Sequence, residues 1–218
     1  MDLSEYRREY IAEGITRESL DKCPIKQFTL WFGEPEQAQL KDVTACSLST
    51  VNAAGSPSLR TVLLKQFDKR GFVFFTDYSS AKSLDISLNP HVGLLFAWLG
   101  LERQVKILGV AHKIEEKQSR AYFASRPRGA QLSAYVSSQS NTVLSRTALE
   151  KKFLMASTKF QGKTIPMPQK WGGYCVVPHE IEFWQGRENR LHDRLQYTRP
   201  STEGASLKEP WAISRLEP

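Results

Sequence analysis

The chain has 218 residues, 40% hydrophobic and 24% charged, ordinary proportions for a globular protein that exclude disorder as its main state. No apolar run approaches the roughly 20 residues that span a bilayer, and the stretch over residues 92–99 is too short. A formal charge of +7 suits polyanions or small phosphorylated ligands, but no block of five basic residues marks a nucleic-acid arm.

The opening MDLSEYRREY mixes charges and has no apolar signal-peptide core, so a cytoplasmic protein without a membrane association is expected. Residues 4–13, ahead of Gly14, read as a short helix with Arg7 and Tyr10 on one face. Residues 24–39 read as a second helix carrying Phe28, Leu30, Trp31 and Phe32. The texture then turns to β over residues 44–51, 59–67 and 71–76, with turn chemistry at 52–57 and 68–71. That spacing predicts an antiparallel meander.

A short helix is predicted over residues 79–88, closed by Asn89 and Pro90, and strands over 91–99 and 103–114. Helices follow over 115–125 and 129–137. Thr147 and Glu150 have capping-box spacing for a longer helix, whose Leu149, Phe153, Ala156 and Phe160 form a core stripe. Residues 174–185, 190–199 and 211–216 close the chain as strands. Strands at both ends with helices inserted predict an α+β, mainly β domain built on an antiparallel barrel.

Three scattered cysteines, Cys23, Cys46 and Cys175, form no CxxC pair. The histidines His91, His112, His179 and His192 lack ligand spacing, so no metal site is expected. GxGxxG and GxSxG are absent. Gly162-Lys163-Thr164 mimics the end of a P-loop, but Ser157 stands where its first glycine is needed.

In a strand over 190–199, Arg190, His192 and Arg194 share one face. Such a row is either an edge strand guarded by charge or the binding face for a phosphorylated or electron-rich ring ligand. Arg60 and Lys65 bracket an apolar strand on opposite faces. Tyr122 and Arg126 are four apart, close enough on a helix end to grip one phosphate.

RREY at 7–10, RTVLLK at 60–65, ERQV at 102–105, YFASRPR at 122–128, SSQS at 137–140 and EFWQGRENRLHDR at 182–194 together resemble the pyridoxine (pyridoxamine) 5′-phosphate oxidase family. The resemblance runs over nearly the whole chain. It implies an FMN-binding split β-barrel, Greek-key-like with helical insertions. Residues 1–218 would be one domain, with a lid over 1–20, a helical insertion over 115–161 and C-terminal strands over 174–218. It implies a homodimer with FMN between the subunits. The implied reaction oxidises pyridoxine 5′-phosphate or pyridoxamine 5′-phosphate with O2 to pyridoxal 5′-phosphate and hydrogen peroxide.

By the same resemblance, Arg60, Thr61, Val62, Leu63, Leu64, Lys65, Phe75, Thr76, Ala81, Lys82, Gln104, Gln139, Ser140, Trp184 and Arg194 fall at FMN positions. Lys65, Tyr122, Arg126 and Ala130 fall at the substrate-phosphate site. Arg190, Leu191 and His192 fall beside the substrate ring, Arg190 and His192 as catalytic candidates, while Arg7, Arg8, Glu9 and Tyr10 fall in a covering lid. Two positions depart from the family pattern: Ala81 where an arginine is usual, and Ala130 where a serine is usual. The alternatives are another flavin reductase on the same barrel, or a basic barrel that binds nucleic acid.

Overall fold

The computed structural model describes residues 1–5, 9–200 and 210–218, among which nine strands join one antiparallel sheet. The strands are β1 (Ala45–Val51), β2 (Pro57–Leu63), β3 (Gln66–Asp68), β4 (Gly71–Asp77), β5 (His91–Trp98), β6 (Arg103–Lys113), β7 (Trp171–Gln185), β8 (Asp193–Thr198) and β9 (Ala212–Leu216). Their order is β2-β1-β5-β6-β7-β4-β3, with β8 on β7 and β9 on β8. The helices are α1 (Pro24–Gln37), α2 (Ala81–Leu88), α3 (Glu116–Ser125), α4 (Arg128–Val136) and α5 (Arg146–Lys159). No helix among the described residues is long and apolar enough to cross a membrane.

The expected meander resolves into two hairpins, β1–β2 and β3–β4, near opposite ends of the strand order. The chain passes between them at Leu64 and Lys65, whose amides donate to Thr44 O (2.8 Å) and Val73 O (2.9 Å). Two consecutive donors thus serve both ends of the sheet, and the sheet curls. β7 lies along β6, while its first half pairs with β4 and its second with β8. The register of β6 on β7 shifts at Leu108/Gly109. There a Cβ on Gly109 would stand 2.5 Å from Val177 O, so only glycine permits the approach.

Burial explains the curl's contents. Phe28 of α1 is fully buried, with the rings of Phe67, Phe72, Phe96 and Trp98 at 4.9–6.0 Å from its own. Trp31 meets Phe183 edge-on at 5.1 Å. Alternate residues of β5 (Val92, Leu94, Phe96, Trp98) and β6 (Val105, Ile107) complete this core. A second apolar cluster joins Phe123, Leu132, Ala156 and Phe160 of the helices to Ile165 and Trp171. It anchors α3, α4 and α5 against the start of β7.

Four local expectations are corrected. The described part of residues 4–13 forms no helix, because its amides bond elsewhere: Ile11 and Ala12 to Glu102 Oε2 (2.9 and 3.1 Å), and downstream Ile15 to Asp193 Oδ2 (3.1 Å). The cap of α5 is Ser145, whose Oγ accepts from Ala148 N at 3.0 Å, rather than Thr147; Glu150 instead pairs with Arg146. On that helix Ala156 is buried and Phe160 just beyond it too, but Leu149 is exposed. Residues 190–192 are not strand. A 3-10 turn at Glu188–Arg190 intervenes, with Asn189 and Arg190 at φ of 55° and 63°, and β8 starts only at Asp193.

Candidate active site

β2, β4, α2, α3 and α4 converge on a cleft of about 320 Å³ lined by Thr61, Val62, Leu63, Lys65, Phe75, Thr76, Asp77, Lys82, Tyr122, Arg126, Ala134, Ser137, Gln139 and Trp171. Its floor is aromatic. Phe75 stacks on Tyr122 at 4.0 Å and on Trp171 at 5.3 Å, so three near-parallel rings form one apolar wall.

Its polar end is cationic. Lys82, only 7% exposed, lies in the first turn of α2 and donates to Thr76 Oγ1 (3.2 Å), Ser80 Oγ (3.2 Å) and Gln139 Oε1 (3.0 Å). Burial, and then the charge of Arg60, pull its ammonium below the ordinary lysine value against the attraction of Asp77. An anion at this end relieves that penalty. Burial acts to raise the Asp77 carboxyl, but the Ser79 hydroxyl and amide and the Lys170 ammonium hold it below the carboxylate range.

Arg126, just past α3, lies 4.8 Å over the Trp171 ring, and its Nη1 is buried with no hydrogen-bond partner among the described residues. Burial lowers its pKa, opposed by Tyr122. A buried guanidinium nitrogen without an acceptor is costly, and a phosphate oxygen in the cleft removes that cost.

A second hollow, of about 370 Å³, is lined by Leu95, Gln104, Lys106, Glu182, Trp184, Arg194 and Pro218, sharing no residue with the first. Buried Glu182 organises it. Its Oε1 accepts from Arg194 Nε at 2.7 Å, and its Oε2 stands 2.7 Å from Lys106 Nζ. Burial works to raise this carboxyl, but the two cations hold it below its ordinary value. Beside the hollow, the His192 ring lies 4.6 Å from Trp184, and Tyr10 meets both edge-on at 5.8 and 5.2 Å. His192 Nδ1 accepts from Arg187 N at 3.1 Å, and burial, with the charge of Arg190, lowers its pKa. The neutral imidazole is therefore the resting form near neutrality.

The expected residues thus fall into separate groups. Thr61, Val62, Leu63, Lys65, Phe75, Thr76, Lys82, Tyr122, Arg126 and Gln139 meet in the first cleft, and Gln104, Trp184 and Arg194 in the second hollow. Arg60 stands behind the cleft's cationic end, donating to Thr50 Oγ1 (2.7 Å) and Ser58 Oγ (2.6 Å). Leu64 is a core residue. Ala81 is exposed, its amide donating to Ser140 Oγ at 3.2 Å, and Ala130 sits in the first turn of α4. Arg190, Leu191 and Glu9 are exposed, while Arg7 and Arg8 lie outside the described residues.

Asp77, Ala134, Ser137 and Trp171 in the cleft, and Leu95, Lys106, Glu182 and Pro218 in the hollow, were not singled out as site residues. Ser137 opens the SSQS motif and Glu182 opens EFWQG, so both were within reach. Asp77 follows Thr76 directly, and a carboxylate closing an apolar strand was its signal.

Comparison with known proteins agrees on one family. A family model described as pyridoxamine 5′-phosphate oxidase matches residues 33–159, and another, described as the pyridoxine 5′-phosphate oxidase C-terminal dimerisation region, matches residues 171–218. A pyridoxine/pyridoxamine 5′-phosphate oxidase of Crocosphaera subtropica is 53% identical over 218 residues, covering all of both chains. One from Rippkaea orientalis is 51% identical over 220 residues, again covering both fully. Among solved structures, PhzG from Burkholderia lata, in complex with tetrahydrophenazine-1-carboxylic acid, superposes with a TM-score of 0.86 at 25% identity, covering 95% of this chain and 99% of its own. An FMN-binding protein of Nostoc punctiforme related to pyridoxamine 5′-phosphate oxidase shares the fold, with a TM-score of 0.69 at 16% identity over 90% of this chain and 98% of its own. With full-length identity near one half and the same curled sheet, the chain belongs to the pyridoxine/pyridoxamine 5′-phosphate oxidase family.

Proposed function

We propose that this chain is an FMN-dependent oxidase that converts pyridoxine 5′-phosphate or pyridoxamine 5′-phosphate to pyridoxal 5′-phosphate in the biosynthesis or salvage of that cofactor. Each alcohol consumed uses one O2 and yields one hydrogen peroxide; the amine also takes up one water and releases ammonia. FMN held in the cleft would supply the redox chemistry, the route for two electrons from the substrate's 4′ carbon to O2.

The observation that carries the proposal is the cationic end of the cleft: buried Lys82 and the unpartnered Arg126 Nη1, beside an aromatic wall. These residues fit a flat ring compound carrying phosphate. Lys82, Gln139 and Thr76 would hold the cofactor, with Arg60 adding positive charge behind them. Lys65, Tyr122 and Arg126 would bind the substrate's phosphate. Arg190 and His192 would orient the substrate ring, the neutral His192, whose Nδ1 accepts from Arg187 N, offering its Nε2–H as a hydrogen-bond donor without adding a cation.

Homodimerisation completes the reading. The two hollows share no residue, so a partner chain that brings Gln104, Trp184 and Arg194 to the cleft would make one closed site from two halves. The match of residues 171–218 to a dimerisation region supports that arrangement. Residues 1–218 act in it as one domain. A cytoplasmic location is part of the proposal, supported by three unpaired cysteines and tested by cell fractionation.

The test is the absorption spectrum of the purified protein, followed by assay. A flavin band near about 450 nm, bleached under nitrogen by either phosphate ester, is expected. A protein whose flavin is bleached only by a reduced nicotinamide would be a different reductase on this barrel. A colourless protein carrying nucleic acid would sink the proposal altogether.

A further inference from the structure

Glu102 is placed unusually for a glutamate. It closes the turn between β5 and β6 at φ 57°, in the left-handed region where glycine is the usual choice, and it is only 8% exposed. A side chain held in that conformation persists only where its surroundings fix it. Its carboxylate explains what glycine could not supply. Oε2 accepts from two successive amides of the N-terminal segment, Ile11 N at 2.9 Å and Ala12 N at 3.1 Å.

The main chain of the same residue faces the other way. Glu102 O accepts from Gly186 N at 2.8 Å and from Gln185 Nε2 at 3.2 Å, at the corner directly after Trp184. One residue therefore ties the N-terminal segment to the Trp184 corner. Gly186 supplies the remaining condition. A Cβ there would stand 2.5 Å from Tyr10 Cδ1 and 3.1 Å from Glu102 Cβ, so the Tyr10 ring occupies space that only glycine leaves open. With the next amide fixed and this space free, Tyr10 lies edge-on to both Trp184 and His192.

We propose that Glu102 is a positioning residue for the oxidase reaction: its carboxylate latches the N-terminal segment so that Tyr10 covers the substrate side of the Trp184–His192 pair. The inference rests on the proposed reading of that pair as the substrate-facing half of the site. Glu102 touches no reacting atom. It acts through Tyr10, and its loss should weaken substrate capture rather than chemistry.

The experiment uses the holoenzyme and the variants Glu102→Met, Glu102→Gln and Gly186→Ala, with two readouts. Amide hydrogen exchange at residues 11 and 12 reports the latch itself. It should quicken about tenfold or more in Glu102→Met and stay near wild type in Glu102→Gln, whose amide oxygen still accepts. Steady-state kinetics with pyridoxamine 5′-phosphate should show KM raised about tenfold in Glu102→Met and in Gly186→Ala, with kcat and flavin content nearly unchanged. Unchanged exchange in Glu102→Met, unchanged KM in Gly186→Ala, or parallel loss of flavin and activity would each overturn the latch. A wild-type protein inert toward both phosphate esters would instead fail the proposed function, while the exchange data would still decide whether the latch exists.

Discussion

Trp184 and Arg194 stand directly opposite each other in the β7–β8 register, and Arg194 is held there by Glu182, two residues before Trp184 on the same strand. Residues i and i+2 of a strand share a face, so Glu182 and Trp184 present a carboxylate and an indole side by side, with the guanidinium across from both. His192 then folds back on the indole from the turn before β8. Glu182 thus ties its two neighbouring strands together through its charges, with Arg194 on Oε1 and Lys106 Nζ 2.7 Å from Oε2.

Sites made from two chains predict complementation. Lys82→Ala damages the first cleft and Arg194→Ala the second hollow, and each homodimer should lose most of its FMN. Refolding the two variants together at equal amounts should restore about a quarter of the sites, since half the dimers are mixed and each mixed dimer has one intact site. Flavin content measured against the unmixed parents checks this. No recovery above the parents would place both residues in one chain's site.

Arg190→Ala and His192→Ala should lower kcat/KM for the phosphate esters by about ten- to a hundredfold, the value of one charge-assisted hydrogen bond, while flavin content holds. Arg190 ends the turn at Glu188–Arg190 and His192 lies between that turn and β8, so neither sits on a strand face and both can vary without removing the Glu182–Arg194 pair. Flavin occupancy beside steady-state kinetics separates the outcomes. Equal loss of flavin and activity would move both residues into the cofactor's shell.

Ala81→Arg should tighten FMN binding. Ala81 is exposed at the start of α2, next to Lys82 and with its amide on Ser140 Oγ, so a guanidinium there adds a cation to the phosphate end. The gain should approach about tenfold at low salt and shrink as salt rises, because the position is open to solvent. Titration of apo-protein at two ionic strengths measures both. An unchanged dissociation constant would mean that Arg60, Lys82 or another cation already supplies the charge.

Glu182 makes stability fall in acid. Its folded-state pKa lies below its ordinary value of 4.5, so its contribution is complete above that value and is lost as pH falls through the lowered one. Thermal melts of wild type as pH falls below about 4.5 should show a steeper loss of Tm than Glu182→Gln, which starts lower and has no such carboxylate to protonate. Parallel Tm-against-pH curves for the two proteins would contradict the assignment.

Alternation of apolar residues made most strands readable, and Pro24 and the Asn89-Pro90 pair marked helix limits that the structure shows within two residues. What stayed hidden was non-local. Nothing near residues 9–15 reveals that their amides bond to Glu102 and Asp193, so a helix was expected. A turn at 185–189 is legible around Gly186, but the left-handed Asn189 and Arg190 carry no glycine to show that it runs on, and RLHDR reads as strand from 190. The pairing of β4 with β7, which sets Phe75 beside Trp171, joins segments far apart in the chain. The site residues were named through family resemblance, and their division into two hollows follows from the curl of the sheet.

Oxygen consumption by the purified flavoprotein tests the central claim most directly. Pyridoxine 5′-phosphate and pyridoxamine 5′-phosphate should each drive O2 uptake with one pyridoxal 5′-phosphate and one hydrogen peroxide formed per O2. Unphosphorylated pyridoxine should be far poorer, because Lys65, Tyr122 and Arg126 then have no anion to hold. Flavin that is reoxidised by O2 after reduction by a nicotinamide, but is never reduced by either ester, would contradict the account.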